Sequence, residues 1–207
     1  MNLEPSTQKN LYGHKLTFKT LTHLYMNNKL PSKILLSGEK GIGKCTLAYH
    51  LINFVLSNDE EYSYDYENCE INFENKSFKL IQNNSNPNFN LIDVVKDKKN
   101  IDIAQIRELI LNLNKSSFNL KKRFVLIDNI ELLNTNSVNA LLKVLEEPNE
   151  NINFILINNN KRVVSTLLSR CVNFKVCLTH DASIEVINKI LNKNVCDLIN
   201  SELIDNY

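Results

Sequence analysis

The sequence predicts an α/β fold, a five-stranded parallel sheet with helices on both faces. Three observations predict it. Short apolar runs recur along the 207 residues as continuous hydrophobic stretches rather than as alternation, the pattern of strands buried on both faces. Segments with apolar residues at helical spacing separate these runs, and strands alternating with helices build parallel sheets. The first run leads directly into a glycine-rich loop, Gly38-Glu39-Lys40-Gly41-Ile42-Gly43-Lys44-Cys45-Thr46, and then into a helix, the order in which phosphate-binding loops occur.

The elements follow in order. Leu16, Phe18, Leu21, Leu24 and Tyr25 approximate a helix that Pro31 stops. Ile34-Leu35-Leu36 reads as a buried strand, and Leu47, Ala48, Leu51, Ile52 and Val55 as the inner face of the helix after the loop. Residues 57–89 are polar, with little periodicity, and read as an irregular surface excursion. Leu91-Ile92-Asp93-Val94-Val95 is the second strand. Asp102 and Gln105 form a capping box ahead of a helix carrying Ile106, Leu109, Ile110 and Leu113. Phe124-Val125-Leu126-Ile127-Asp128 is a strand ending in an acid. Val138, Leu141, Leu142 and Leu145 mark a helix that stops before Pro148. Phe154-Ile155-Leu156-Ile157 and residues 172–176 supply the last two strands. A helix from about Ser183 carries Ile184, Ile187 and Leu191. Residues 1–178 are expected to form the nucleotide-binding-type domain, and 179–207 only the start of a helical lid.

Composition narrows the class. Apolar content of 43% and charged content of 23% are those of a soluble globular chain, and a net charge of +1 supplies no global field for nucleic acid. Cysteines stand at 45, 69, 171, 177 and 196 with no C-x-x-C pair, so a zinc module is not expected and the thiols read as reduced. No apolar run reaches a membrane span and no signal opens the chain, so a cytoplasmic protein without membrane contact is expected.

The loop carries the chemistry. Its glycines turn backbone N–H groups onto phosphate oxygens, its lysine reaches the β/γ-phosphates, and a hydroxyl after the lysine ligates Mg²⁺. Here Cys45 stands where the hydroxyl belongs, and a thiol is a poor ligand for a hard cation. Gly38, Gly41, Gly43, Lys44, Cys45 and Thr46 are the expected nucleotide contacts. Asp128 ends its strand where a Walker B acid holds the nucleotide's Mg²⁺; the alternative is an acid capping a turn. ATP-hydrolysing proteins of this architecture place a glutamate next, but Asn129 follows here, and an amide is no general base. Asn158 stands at the fourth strand's end, either as a polar sensor of the γ-phosphate or as part of a polar turn with Asn159 and Asn160. Arg170 is either a surface ion-pair partner or a guanidinium offered in trans to a neighbour's phosphoryl group.

Together, these segments resemble the AAA+ clamp-loader subunits of bacterial DNA polymerase III. The resemblance rests on Gly38 to Thr46, on Asp128, on Asn139-Ala140-Leu141-Leu142-Lys143-Val144-Leu145-Glu146-Glu147-Pro148, and on Ser169-Arg170-Cys171. It covers residues 8–178, and Tyr12-Gly13-His14 is similar to the family's short box on the adenine side. The lysine-glycine-isoleucine-glycine-lysine loop and Ile127-Asp128-Asn129 are similar to delta-prime forms, whereas gamma/tau ATPases carry Lys-Thr or Lys-Ser and Asp-Glu there. The resemblance implies the AAA+ P-loop NTPase fold. It also implies a place in an asymmetric pentamer with gamma/tau and delta subunits that opens the sliding clamp and sets it on primed DNA. ATP or ADP, with Mg²⁺ if bound, is the implied ligand. Arg170 is the implied catalytic group, acting in trans, with weak turnover by this chain itself. Many members carry a zinc module between the first helix and second strand; its cysteines are missing here, and the family's collar domain is not expected within residues 179–207. Two alternatives remain: an active gamma/tau-like ATPase, and a small P-loop nucleotide kinase, which would need an acceptor region and an arginine-rich lid.

Overall fold

Five parallel strands form the sheet: β1 (Lys33–Ser37), β2 (Phe89–Ile92), β3 (Arg123–Ile127), β4 (Ile152–Asn158) and β5 (Val172–Lys175), in the order β2-β3-β4-β1-β5. The computed structural model describes residues 3–114, 121–146 and 151–191. The helices are α1 (Lys15–Met26), α2 (Lys44–Leu56), α3 (Lys76–Gln82), α4 (Ile103–Leu113), α5 (Thr135–Glu146), α6 (Ser165–Leu168) and α7 (His180–Leu191). Among the described residues, no helix is long and apolar enough to cross a membrane.

Strand alternation divides the core into two layers. Ile34, Leu36, Phe124, Leu126, Ile155 and Ile157 face α1 and α2, whereas Leu35, Val125, Ile127, Phe154 and Leu156 face α4 and α5. Both layers are apolar, which is why the strands read as unbroken hydrophobic runs. The Asp102–Gln105 capping box forms, with the Gln105 side chain accepting from the Asp102 N–H at 3.0 Å. At the other end of α4, the Arg123 guanidinium donates to the carbonyls of Asn112 and Leu113 at 2.7 and 2.9 Å, placing positive charge at the helix C-terminus.

Four sequence expectations shift. The second strand runs over Phe89–Ile92, so Asp93 stands just beyond it rather than inside it. Leu16 points to solvent, 82% exposed, while Phe18 and Leu21 are the buried members of its stripe. The last helix begins at His180, and residues 192–207, the rest of the expected lid together with Cys196, lie outside the described residues.

The largest correction concerns residues 57–89, which are part of the core. Tyr64, Cys69, Ile71, Phe78 and Ile81 are buried against α1 and α2, and Glu70 pairs with Asn10 and Asp65 in short antiparallel bridges. The polar residues here serve internal bonding. Asn75 caps α3 by accepting from Phe78 N–H at 2.7 Å, and its carbonyl also accepts from the Asn53 amide at 2.9 Å. Glu60 closes the same helix end onto Ser77.

His50 locks the excursion to α2, with Nδ1 2.7 Å from the Tyr64 hydroxyl in a fully buried position. Burial pulls its pKa from 6.5 down to about 3. The unfolded chain therefore binds a proton that the folded chain refuses. Stability that is complete above pH 6.5 is lost as pH falls toward 3, by up to about 1.4 kcal/mol per pH unit. Urea midpoints between pH 7 and pH 5 should fall in the native chain and fall less steeply in His50→Gln; equal slopes would remove His50 as the cause.

Candidate functional site

The glycine loop leaves β1 at a crowded corner. Gly38 N–H donates to Asn158 O at 3.2 Å, and Val176 N–H donates to Ser37 O at 2.7 Å, so the loop's first residue sits between β4 and β5. A Cβ on Gly38 would lie 2.2 Å from the Val176 carbonyl oxygen, so close backbone approach excludes any side chain. Gly41 and Gly43 have φ of +84° and +92°, and nothing lies within 4 Å of a Cβ built on Gly41. The loop therefore frames open space at the N-terminus of α2, the geometry that suits a phosphate.

Lys44 is buried at the start of α2 and folds back on the loop, donating to the carbonyls of Gly38 and Glu39 at 3.0 and 2.5 Å. Burial lowers its pKa, and the carboxylates of Asp128, Glu131 and Glu39 oppose that shift. Its ammonium is held by carbonyls that a phosphate can replace.

Asp128 follows β3 and Asp93 follows β2, so the two carboxyls stand at neighbouring strand ends. Burial and the nearby Asp93 charge raise the pKa of Asp128. Asp128 Oδ1 accepts from Asn129 N–H at 2.8 Å, and its carboxyl borders the same space as the Cys45 thiol. Burial first, and then the Asp128 charge, push the Cys45 thiol far above its ordinary range, so it stays protonated. Thr46 and Cys45 both border the open space in front of the loop, with Asp128 and Asn129 across it.

Asn129 occupies a left-handed conformation, φ 56°, which an asparagine tolerates. Its amide donates to Asp93 Oδ1 at 2.9 Å, and its carbonyl accepts from Asn159 Nδ2 at 2.8 Å. The 3₁₀ turn Ile130–Leu132 returns Glu131 toward the loop, where its carboxylate accepts from the same Asn159 amide at 2.8 Å. An acid, two amides and a second acid thus form one chain of hydrogen bonds in front of the phosphate space.

The β4 terminus distinguishes two neighbouring asparagines. The Asn158 side chain closes the turn, donating to Lys161 O and accepting from Lys161 N–H, both at 3.1 Å. The neighbouring Asn159 borders the loop's open space instead. Asn159 and Asp93 are the residues that sequence reasoning missed. Asp93 carried a visible signal, since Leu91-Ile92-Asp93 repeats the pattern of Leu126-Ile127-Asp128. Asn159 carried none, because three asparagines stand in a row.

Beside the loop, Tyr12, His14, Ile42, Leu178 and Val186 line a cleft of 190 Å³. His14 Nε2 meets the Ile42 carbonyl at 2.5 Å, and burial lowers its pKa, which keeps the ring neutral. A Cβ on Gly13 would lie 2.6 Å from Leu178 and 2.9 Å from Val186, so a glycine there lets α7 close on the cleft. An apolar slot beside an open phosphate cradle fits a nucleotide, with Lys44 and the loop N–H groups on its phosphates.

Magnesium fits less well. Cys45 presents sulfur, Asp128 is engaged by Asn129 N–H, and Asp93 and Glu131 are engaged by asparagine amides. Among the described residues, no group of three His, Cys, Asp or Glu side chains is placed to hold a metal ion.

Arg170 lies apart from this space, at the end of α6. Its Nη1 donates to Thr166 O at 2.7 Å, and its Nη2 pairs with the Glu146 carboxylate at the end of α5. The two signature segments of the sequence thus meet through Arg170 and Glu146, while Glu147 and Pro148 lie outside the described residues.

A family model described as DNA polymerase III, delta subunit matches residues 13–178. The gamma subunit of DNA polymerase III from Buchnera aphidicola subsp. Schizaphis graminum (strain Sg) is 29% identical over 187 residues, covering 87% of this chain and 47% of that one. The delta' subunit from Bacillus subtilis (strain 168) is 30% identical over 172 residues, covering 82% and 46%. This chain spans about half the length of either relative. Among solved structures, a DNA polymerase III gamma subunit-related protein from Thermotoga maritima superposes with a TM-score of 0.58 at 21% identity, covering 82% of this chain and 49% of that one. The fold is that of an AAA+ P-loop NTPase.

Proposed function

This chain belongs to the DNA polymerase III, delta subunit family, and from that membership we propose that it serves as a delta-prime-like clamp-loader subunit. In this reading it assembles with gamma/tau and delta subunits, helps to open the sliding clamp and set it on primed DNA, and completes a neighbour's ATP site with Arg170. Its own pocket turns ATP over poorly. The observation that carries the reading is Asn129, which stands where a hydrolysing subunit needs a carboxylate and is held on both sides, by Asp93 and by Asn159. Such an amide neither takes a proton from water nor swings away without breaking two hydrogen bonds.

Each residue's part follows from its surroundings. Gly41, Gly43 and Lys44 hold phosphate; Tyr12, His14 and Ile42 border the base; Asn159, rather than Asn158, watches the phosphate end. Arg170, outside this pocket and solvent-facing, stabilises charge on a phosphoryl group bound by the adjacent subunit.

One observation favours a second reading, an active gamma/tau-like ATPase: Glu131 returns toward the loop and shares Asn159 with Asn129. Steady-state ATP hydrolysis by the isolated chain separates the two. The delta-prime-like reading expects no turnover above background, with or without Glu131→Gln. Turnover that Lys44→Ala and Glu131→Gln both abolish would establish the ATPase reading instead.

A further inference from the structure

We infer that this pocket takes a nucleoside polyphosphate without a divalent cation, because sulfur stands at the first metal-ligand position and the nearby carboxylates are engaged by Asn129 and Asn159, while the space in front of the glycine loop is open. The inference rests on the reading of the loop as a nucleotide site and goes beyond it in naming the form of the ligand.

A P-loop metal needs two things from its protein: a hydroxyl on the residue after the lysine, and a strand-end acid free to bind the ion or its water. Cys45 removes the first. Sulfur is a soft donor, and Mg²⁺ demands near-octahedral oxygen. The second is curtailed at Asp128, whose carboxyl shares its space with the Cys45 sulfur rather than with a hydroxyl. Asn129 N–H takes an Asp128 oxygen as well, at 2.8 Å. The two remaining carboxylates are tied down, Asp93 by the Asn129 amide at 2.9 Å and Glu131 by the Asn159 amide at 2.8 Å. An entering Mg²⁺ would have to break this chain and still find sulfur at its first ligand position.

The phosphate side is different. Among the described residues, Lys44 donates to two backbone carbonyls, and the space at Gly41 is open. A phosphate that displaces those carbonyls gains a charge-assisted bond and the α2 N-terminus, neither of which needs a metal. The substitution at Cys45 therefore uncouples two functions that share one loop, phosphate capture and metal capture.

The test uses the full chain and a fluorescent N-methylanthraniloyl ADP, with binding followed by anisotropy in excess EDTA and in millimolar Mg²⁺. The native chain is expected to show the same affinity within about twofold in both. Cys45→Ser, which replaces sulfur by oxygen at one atom, is expected to gain about tenfold in Mg²⁺ over EDTA. Cys45→Thr provides a second variant should the serine melt at a lower temperature. A native affinity that rises tenfold or more with Mg²⁺ would overturn the inference. Absence of binding in both conditions, with a normal melting temperature, would overturn it as well, yet leave the Arg170 reading intact, since an empty pocket can still donate its arginine to a neighbour.

Discussion

Arg170→Ala is expected to lower ATP turnover about a thousandfold at the neighbouring site this chain is proposed to complete in a reconstituted clamp-loader complex, the low end of what a phosphoryl-stabilising arginine supplies. Within this chain the guanidinium is held by Thr166 O and Glu146 at a solvent-facing position, and it does not border the chain's own loop. An exposed pair of this kind contributes about 0–1 kcal/mol to stability, so the variant should melt close to the native chain and assemble normally. That pairing of large functional loss with small stability loss is the signature to look for. Arg170→Lys should not restore turnover, because an ammonium lacks the planar fork that grips two phosphoryl oxygens at once. Unchanged turnover in Arg170→Ala would remove the trans role and leave Arg170 as an ion-pair partner of Glu146.

Phe18→Ala is expected to destabilise the fold by about 3–5 kcal/mol, the range for truncating a fully buried phenylalanine. The ring is completely inaccessible. It meets Tyr64 at 5.1 Å between centroids, Phe54 edge-on at 6.0 Å, and Tyr66 at 6.2 Å. Those partners come from α2 and from the 57–89 excursion, so one cavity loosens three segments at once. Aromatic pairs add about 0.5–1.5 kcal/mol each beyond area, which places the effect toward the upper end. Urea unfolding checks the value. Limited proteolysis checks the location, since cleavage between residues 57 and 75 should accelerate more than cleavage elsewhere. A loss below about 1 kcal/mol would mean that the excursion is the surface loop its composition suggested.

What could be read from the sequence, and what could not, follows from how each signal is written. The sheet was legible because both its faces are covered, which forces continuous apolar runs, and the glycine loop was legible because only glycine fits beside the Val176 carbonyl and at the two left-handed positions. The 57–89 excursion was illegible because Tyr64, Cys69 and Ile71 follow no helical or strand period, because helical spacing is confined to the single short helix α3, and because Asn75 and Glu60 are spent on caps rather than on solvent. At the site, Asp128 and Cys45 were legible one at a time, but their meeting at one open space was not. Choosing between Asn158 and Asn159 needed the turn geometry at the end of β4, where a shift of one residue reverses which side chain faces the loop. Arg170 was visible as a candidate, but its pairing with Glu146 joins segments 24 residues apart and depends on where α5 and α6 end.

In the proposed reading, this subunit contributes to ATP hydrolysis next door and not in its own pocket. The measurement that addresses it most directly is ATP turnover by a complex reconstituted with gamma/tau and delta subunits, clamp and primed DNA, with this chain native, Lys44→Ala or Arg170→Ala. Unchanged turnover with Lys44→Ala and a large fall with Arg170→Ala are expected. A large fall with Lys44→Ala and none with Arg170→Ala would contradict that reading, and would make this chain one of the hydrolysing subunits.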